Sequence, residues 1–408
     1  MDYPINLPFN HQPSTILHLD INSCFATLEQ QANPLLRHRP IAVAARNEPS
    51  CCIVAPSIEA KLLGIKVGTK VKEALQIYPN IIILEPDPDK YRFVHYQLKS
   101  LLQNYSDIVI PKSIDEFYLD FTHHVHPNLK TIARQIKHNL HAIGDYITVS
   151  IGLGPNWFLA KTAAGLHKPD GLDEINHHNF LDVYQNLKLT DLHGINLRNQ
   201  YRLNSVGINT VLDFYHAPHP LIFSAFRSVI SQDWFLRLRG YEVNRLEFGR
   251  KSFGHSYVLP RPLNKEQLLP ILQKLVHKAV SRLRNAGFQT QTISLAFLYQ
   301  DHHSWHQQHC LPQPLFNTAR IFGHFVRLSL NAPDQPIKTI AISCQNLNPK
   351  SQYQLELFHD NQKDFKLTQA IDTINQNWGE STITPARMST AQEAVPDSIA
   401  FGRDLKNS

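Results

Sequence analysis

Apolar residues recur along the chain in two rhythms. Short apolar runs bounded by turn formers alternate with longer stretches whose apolar positions fall at helical spacing. Residues 15–19 are a short apolar strand that delivers Asp20 at its end. Asn22 or Ser23 can cap the helix that follows, and Pro34 lies just past its end. Residues 40–45 and 51–54 read as short strands, and residues 57–63 as a helix with Gly64 at its C-cap. Residues 81–84 are a buried strand, and 91–104 have helical period. Residues 108–110 and 117–121 pair naturally as a hairpin. An amphipathic helix over 129–143, a strand over 147–153 and a helix over 156–166 complete this half. The succession predicts an α+β fold, a sheet backed by helices.

The pattern resumes at residue 253 as β-α-β-β-α-β. Its strands are predicted at 253–259, 292–298, 306–311 and 337–344, and its helices at 265–285 and 317–330. That order predicts a ferredoxin-like module. Residues 1–14 are polar and contain prolines, the composition of a loose tail.

A chain of 408 residues exceeds one ordinary core, so three or four domains are expected. Residues 1–14 do not resemble a signal peptide, and no apolar run approaches membrane-spanning length. Cys24, Cys51, Cys52, Cys310 and Cys344 form no CxxC pair, so neither a zinc site nor a disulfide framework is indicated. A reducing cytoplasm fits. Net charge is +6, unevenly spread. Between Arg245 and Leu347 twelve Lys and Arg face four Asp and Glu, a surplus of eight. Such a block is an electrostatic footprint for a polyanion, though a merely basic surface would read the same.

The candidate chemistry lies in three carboxylates. Asp115 and Glu116 head the strand 117–121, and Asp20 ends the first strand. If the two strands pair, the acids cluster. Adjacent residues of one strand point to opposite faces, so Asp115 and Glu116 converge only if a turn or bulge lies at Ser113-Ile114. A solvated turn would also carry an Asp-Glu pair. A real cluster would need cations, and hard oxygen ligands with open positions select Mg²⁺ bound together with phosphates. Two ions about 4 Å apart would suit a phosphoryl transfer. The histidines near 302–310 and at His123, His124 and His126 show no strong ligand spacing.

The segments HLDINSCF, KSIDEFYLD and GPNWFLAKTAAGLHKPDG, in that order and spacing, resemble the Y-family DNA polymerases, the lesion-bypass enzymes that include bacterial polymerase IV and the catalytic subunit of polymerase V. The resemblance runs from about residue 16 to the end of the chain. It implies a right-hand polymerase: palm (14–23 and 88–175), small fingers (24–87), helical thumb (176–243), linker (244–251), ferredoxin-like little finger (252–347) and a tail (348–408). It implies that Asp20, Asp115, Glu116 and the Ile21 carbonyl hold two Mg²⁺ ions. It further implies Ser23, Cys24, Phe25, Lys61 and Lys168 around the triphosphate, Phe25 as a steric gate against ribose, and Cys52, Val54 and Gly68 as the roof over the new base pair. Departures are Ile58 and Lys61, where polymerase IV relatives carry tyrosine and arginine, and Asn22 in place of a second acid. They look like marks of the polymerase V branch.

Residues 192–196 followed by a helix to about 208 look like a helix-hairpin-helix, with Gly194 and Asn196 at a turn whose amides would meet a DNA phosphate. Asn196 stands where a second glycine is usual, a residue tolerant of left-handed backbone. Arg245, Arg250 and Lys251 lie in a stretch resembling the family's linker, with DNA contacts implied. Gln354, Leu355, Leu357 and Phe358 resemble a sliding-clamp peptide; packing on the little finger is the alternative. The implied activity is template-directed, translesion DNA synthesis of low fidelity without proofreading. The implied partners are primer-template DNA, deoxynucleoside triphosphates, the clamp and, as in polymerase V, accessory mutagenesis subunits, with no membrane. A non-catalytic clamp-bound scaffold of the same shape, or another two-metal palm enzyme such as a nucleotide cyclase, are the alternatives.

Overall fold

The computed structural model describes residues 7–124, 128–243, 250–349, 361–379, 382–391 and 394–395. They fall into two compact units, one within 1–246 and one within 247–397.

The strands of the first unit are β1 (Ile16–Ile21), β2 (Ile41–Ala44), β3 (Ile53–Pro56), β4 (Ile82–Leu84), β5 (Ile108–Pro111), β6 (Glu116–Asp120), β7 (Val149–Gly154) and β8 (Leu172–Glu174). Five form a sheet in the order β5-β6-β1-β7-β8. β1 lies at its centre, with antiparallel partners on both edges. Its residues are buried on both faces, as a central strand's unbroken apolar run requires. The helix Pro88–Leu102 packs there with Leu98 and Leu102 in the core; it begins three residues earlier than expected, because Asp87 accepts from the Lys90 amide as N-cap. A smaller sheet, β3-β2-β4, has its own core around Ala42, Ile53 and Ile65.

A third core in this unit is helical and centres on Tyr184, Phe214 and Trp234. Here the expected loose N-terminus is corrected from residue 7 onward. Phe9 is buried and stacked on Phe180, with centroids 4.0 Å apart. The Asn10 amide donates to the Arg239 carbonyl at 2.7 Å. Arg239 is itself buried, and its guanidinium donates to the carbonyls of Leu7, Phe235 and Tyr215. Its face lies over the Phe235 ring. A few apolar and backbone contacts were enough to order a stretch whose composition is polar.

The second unit holds β9 (Ser252–Leu263), β10 (Phe288–Tyr299), β11 (Ser304–Leu315) and β12 (Ile337–Pro349), in the order β11-β10-β12-β9, all neighbours antiparallel. The helices Lys265–Asn285 and Thr318–Leu330 give the expected β-α-β-β-α-β order. Both helices share a core with Ile293, Leu295, Phe297, Ile340 and Ile342 on alternate strand positions. The strands run well beyond the apolar segments that predicted them, since ladder pairing carries them into polar sequence. The helix Asn361–Trp378 and the turn Ala386–Ala391 follow. Met388, Ala391 and Val395 are buried, so the chain after the last strand completes this domain.

Candidate active site

β1 and β6 run antiparallel with Asp20 directly opposite Glu116, which puts both side chains on one face. Asp115 lies in the turn 112–115 before β6 begins. The Lys112 amide closes that turn on the Glu116 carbonyl at 2.8 Å, and the Ile21 amide donates to the Asp115 carbonyl at 3.0 Å. The alternation of a strand therefore does not drive Asp115 and Glu116 apart. The Ser113 hydroxyl donates to Asp115 Oδ1 at 2.5 Å and accepts from the Glu116 amide at 3.1 Å. Ile21, the last residue of β1, is buried.

Two ammoniums sit on this cluster. Lys168 Nζ is 2.6 Å from Asp20 Oδ2. Lys161 Nζ is 2.8 and 2.6 Å from the two Glu116 oxygens. Asp115 has the Ser113 hydroxyl instead. Burial raises the Asp20 carboxyl, Lys168 pulls it back, and Asp115 and Glu116 push it up again. Burial also raises Asp115; Ser113 opposes and Glu116 adds to the rise. Charge is thus stored here against its ordinary preference, which is what bound cations would relieve.

His18 was not foreseen. It sits two residues before Asp20 in β1, on the same face and fully buried. Burial first, then Lys161 and Lys168, hold its pKa well below the ordinary value, so it is neutral. Neither ring nitrogen has a hydrogen-bond partner. Ligand atoms of His18, Asp20 and Glu116 lie within 4.8 Å of one another, and Asp115 is outside that tightest set. Carboxylate oxygens dominate the donors, which suits a hard divalent ion. Lys161 went unassigned although it lies in a quoted motif; its signal was its place on the helix Trp157–Ala163 next to β1.

Among the residues expected around a nucleotide, the helix Cys24–Ala32 starts immediately after β1. Neither Asn22 nor Ser23 caps it by side chain. Asn22 bonds Ser150, Thr148 and the Asp170 amide, while the buried Ser23 hydroxyl has no partner and its backbone is left-handed. Cys24 and Phe25 are buried, and Phe25 stacks on Tyr91. Lys61, on the helix Ile58–Leu62, is pushed down by burial and by Lys168, and Asp20 opposes; the three groups share one electrostatic neighbourhood. Cys52 is exposed and Val54 half-buried, on β3 or just before it, and the Gly68 amide donates to the Ile53 carbonyl at 2.8 Å. Gly68 has φ +89°, which favours glycine.

Gly194 has φ +100° at the turn before the helix Leu197–Asn204. Asn196 departs from expectation: it is extended, with φ −94°, and serves as N-cap by accepting from the Asn199 amide. Arg250 lies over the Phe253 ring, and Lys251 is exposed. Arg245 and the segment with Gln354, Leu355, Leu357 and Phe358 lie outside the described residues. Part of the basic block is consumed internally. Arg284 pairs with Asp372 through both guanidinium ends, at 2.7 and 2.6 Å. Lys274 and Lys278 donate to the carbonyls of Ala391, Ala394 and Val395, and Lys265 to that of Ala332. The histidines at 302–310 form no converging ligand set among the described residues.

Residues 19–165 match the impB/mucB/samB family, and residues 250–357 match that family's C-terminal domain. DNA polymerase IV of Moorella thermoacetica is 29% identical, covering 90% of this chain and 94% of the relative. DNA polymerase IV of Bacillus velezensis is 28% identical, covering 96% and 97%. Among solved structures, a Y-family DNA polymerase chimera of Dbh and Dpo4 superposes with a TM-score of 0.72 at 24% identity, over 81% of this chain and 98% of that one. An insertion ternary complex of Dbh DNA polymerase gives 0.60 at 24% identity over the same shares. The fold is that of the Y-family DNA polymerases. The chain belongs to the impB/mucB/samB family, whose two matches take in more than half of its length.

Proposed function

We propose that this chain is a DNA-directed DNA polymerase that adds deoxynucleotides to a primer 3′-hydroxyl and works past damaged template bases. The observation that carries the reading is the pairing of Asp20 with Glu116 across β1 and β6, with Asp115 in the adjoining turn. Palm, fingers, thumb and little finger take the boundaries expected above; the separate core of residues 253–395 supports the little finger, while the cores of the first unit run across the other limits.

Asp20, Asp115, Glu116 and the Ile21 carbonyl would hold two Mg²⁺ ions, which when bound would acidify the primer hydroxyl and neutralise the leaving pyrophosphate. Lys61, Lys168 and the N-terminal amides of the helix Cys24–Ala32 neutralise the triphosphate. Phe25 excludes a 2′-hydroxyl. Cys52, Val54 and Gly68 leave room for a distorted base pair, as lesion bypass needs. Neutral His18 packs beneath Asp20 and Glu116 and adds no charge to the site.

DNA is held by backbone contacts. Gly194 and Asn196 meet one phosphate, and Arg245, Arg250 and Lys251 lie along others. Gln354, Leu355, Leu357 and Phe358 dock in a sliding clamp, and accessory mutagenesis subunits join the complex. Five cysteines free of disulfides fit a cytoplasmic enzyme.

Primer extension with Mg²⁺ tests the reading. Asp115→Ala should abolish extension and leave DNA affinity within about threefold, because the acids make no phosphate contacts. Full extension by that variant would refute it, and a wild-type chain that binds DNA without extending primers would revive the scaffold.

A further inference from the structure

Lys161 has no role in the reading above, yet it is the group that occupies Glu116. We propose that Lys161 is a resident counter-ion of Glu116 which a divalent ion must displace, and that this exchange sets the divalent concentration at which the site loads. The inference rests on the polymerase reading of the acid cluster.

The geometry separates the two lysines. Lys161 reaches both Glu116 oxygens, so neither is free of its ammonium. Its side chain is 17% exposed and that of Glu116 19%, so water screens the contact poorly. Lys168 touches Asp20 through one oxygen and is 42% exposed, which leaves it free to turn to an incoming phosphate.

Lys161 has no such freedom. It projects from the helix Trp157–Ala163, and that helix is fixed at its start. Asn156 Oδ1 accepts from the Leu159 amide at 2.8 Å, and Asn156 Nδ2 donates to the carbonyls of Arg237 and Tyr241, each at 2.9 Å. The indole of Trp157 lies 5.7 Å from Lys161 Nζ and 4.8 Å from Lys112 Nζ, a cation contact that the two lysines share. The anchored helix keeps Lys161 beside the cluster in either state.

The sign of the effect follows. Without the ammonium, Glu116 is a stronger ligand and the metal-free cluster is less stable. An arginine would grip both oxygens through a planar fork and be harder to displace.

The test compares the full-length wild type with Lys161→Met and Lys161→Arg, without DNA. Mn²⁺ affinity is read by calorimetry, and Tm is read in EDTA and across a Mg²⁺ series. Lys161→Met should bind Mn²⁺ about tenfold tighter, the effect of one unit charge beside a carboxylate. Its Tm should fall below wild type in EDTA, with the gap closing as Mg²⁺ rises. Lys161→Arg should bind Mn²⁺ about tenfold more weakly. If Lys161→Met fails to fold, Lys161→Arg decides. Unchanged or weaker Mn²⁺ binding by Lys161→Met, or unchanged or tighter binding by Lys161→Arg, overturns the proposal. Failure of the polymerase reading would be seen separately, in a wild type that does not extend primers.

Discussion

The rings of Phe25 and Tyr91 lie face to face, with centroids 4.6 Å apart and planes 12° from parallel. Tyr91 is held in turn: its hydroxyl donates to Glu29 Oε1 at 2.7 Å, and Glu29 Oε2 pairs with Lys90 at the same distance. Burial and Glu29 both push the phenol's pKa up, so it stays a donor. On the proposed reading Phe25 must exclude one hydroxyl group, which a ring can do only if it cannot yield, and Tyr91 would brace it.

Phe25→Ala should therefore admit ribonucleotides, as measured by the ratio of kcat/KM for deoxy- and ribonucleotides. Tyr91→Ala should lower that ratio by up to about tenfold, the worth of one aromatic pair. Tyr91→Phe keeps the stack and should keep most of the ratio. Unchanged sugar discrimination in Phe25→Ala would mean that this ring is not the gate.

A second prediction concerns pH. The folded protein raises the Asp115 carboxyl above its ordinary value, mainly by burial. A carboxyl raised on folding costs stability while charged, and the cost disappears as pH falls through its folded pKa. Asp115→Asn should therefore raise Tm in EDTA at neutral pH, by about 2 °C or more. The gain should shrink on acidification and vanish once the unfolded chain's aspartate is protonated too. A gain that persists at low pH would point to packing and not charge.

The pair Arg284 and Asp372 supplies a third. Both side chains are largely buried, at 9% and 17% exposure. Asp372→Ala leaves a buried guanidinium without its carboxylate, with only the Phe316 carbonyl and the Thr318 hydroxyl accepting from it among the described residues, and should cost about 3 kcal/mol in urea unfolding of the second unit. Arg284→Met with Asp372→Leu should recover most of that loss. Neither change should alter the slope of DNA affinity against salt, since Arg284 is spent inside the domain. A flatter slope in the double variant would return Arg284 to the DNA surface.

Much of this was legible from local pattern. β1, β6 and the acids at their ends could be read because a central strand is an unbroken apolar run and a hairpin needs two such runs close together. The β-α-β-β-α-β order of residues 252–349 was equally plain. Helix limits were less so, because caps such as Asp87 act through one side chain and the apolar period ignores them.

Element order, fold class and the three acidic positions were readable along the chain, since periodicity and motif spacing are properties of neighbouring residues. Folding alone revealed which cations sit on which acids, that His18 lies buried and neutral beside them, that Asn196 caps a helix, and that residues from Leu7 onward belong to a core. It also decided that Arg284, Lys274 and Lys278 serve the tail. Apart from the Asn196 cap, which is local, those pairings join residues tens to hundreds of positions apart, and a charge or a ring carries no mark of its partner until folding brings the two within a few ångströms.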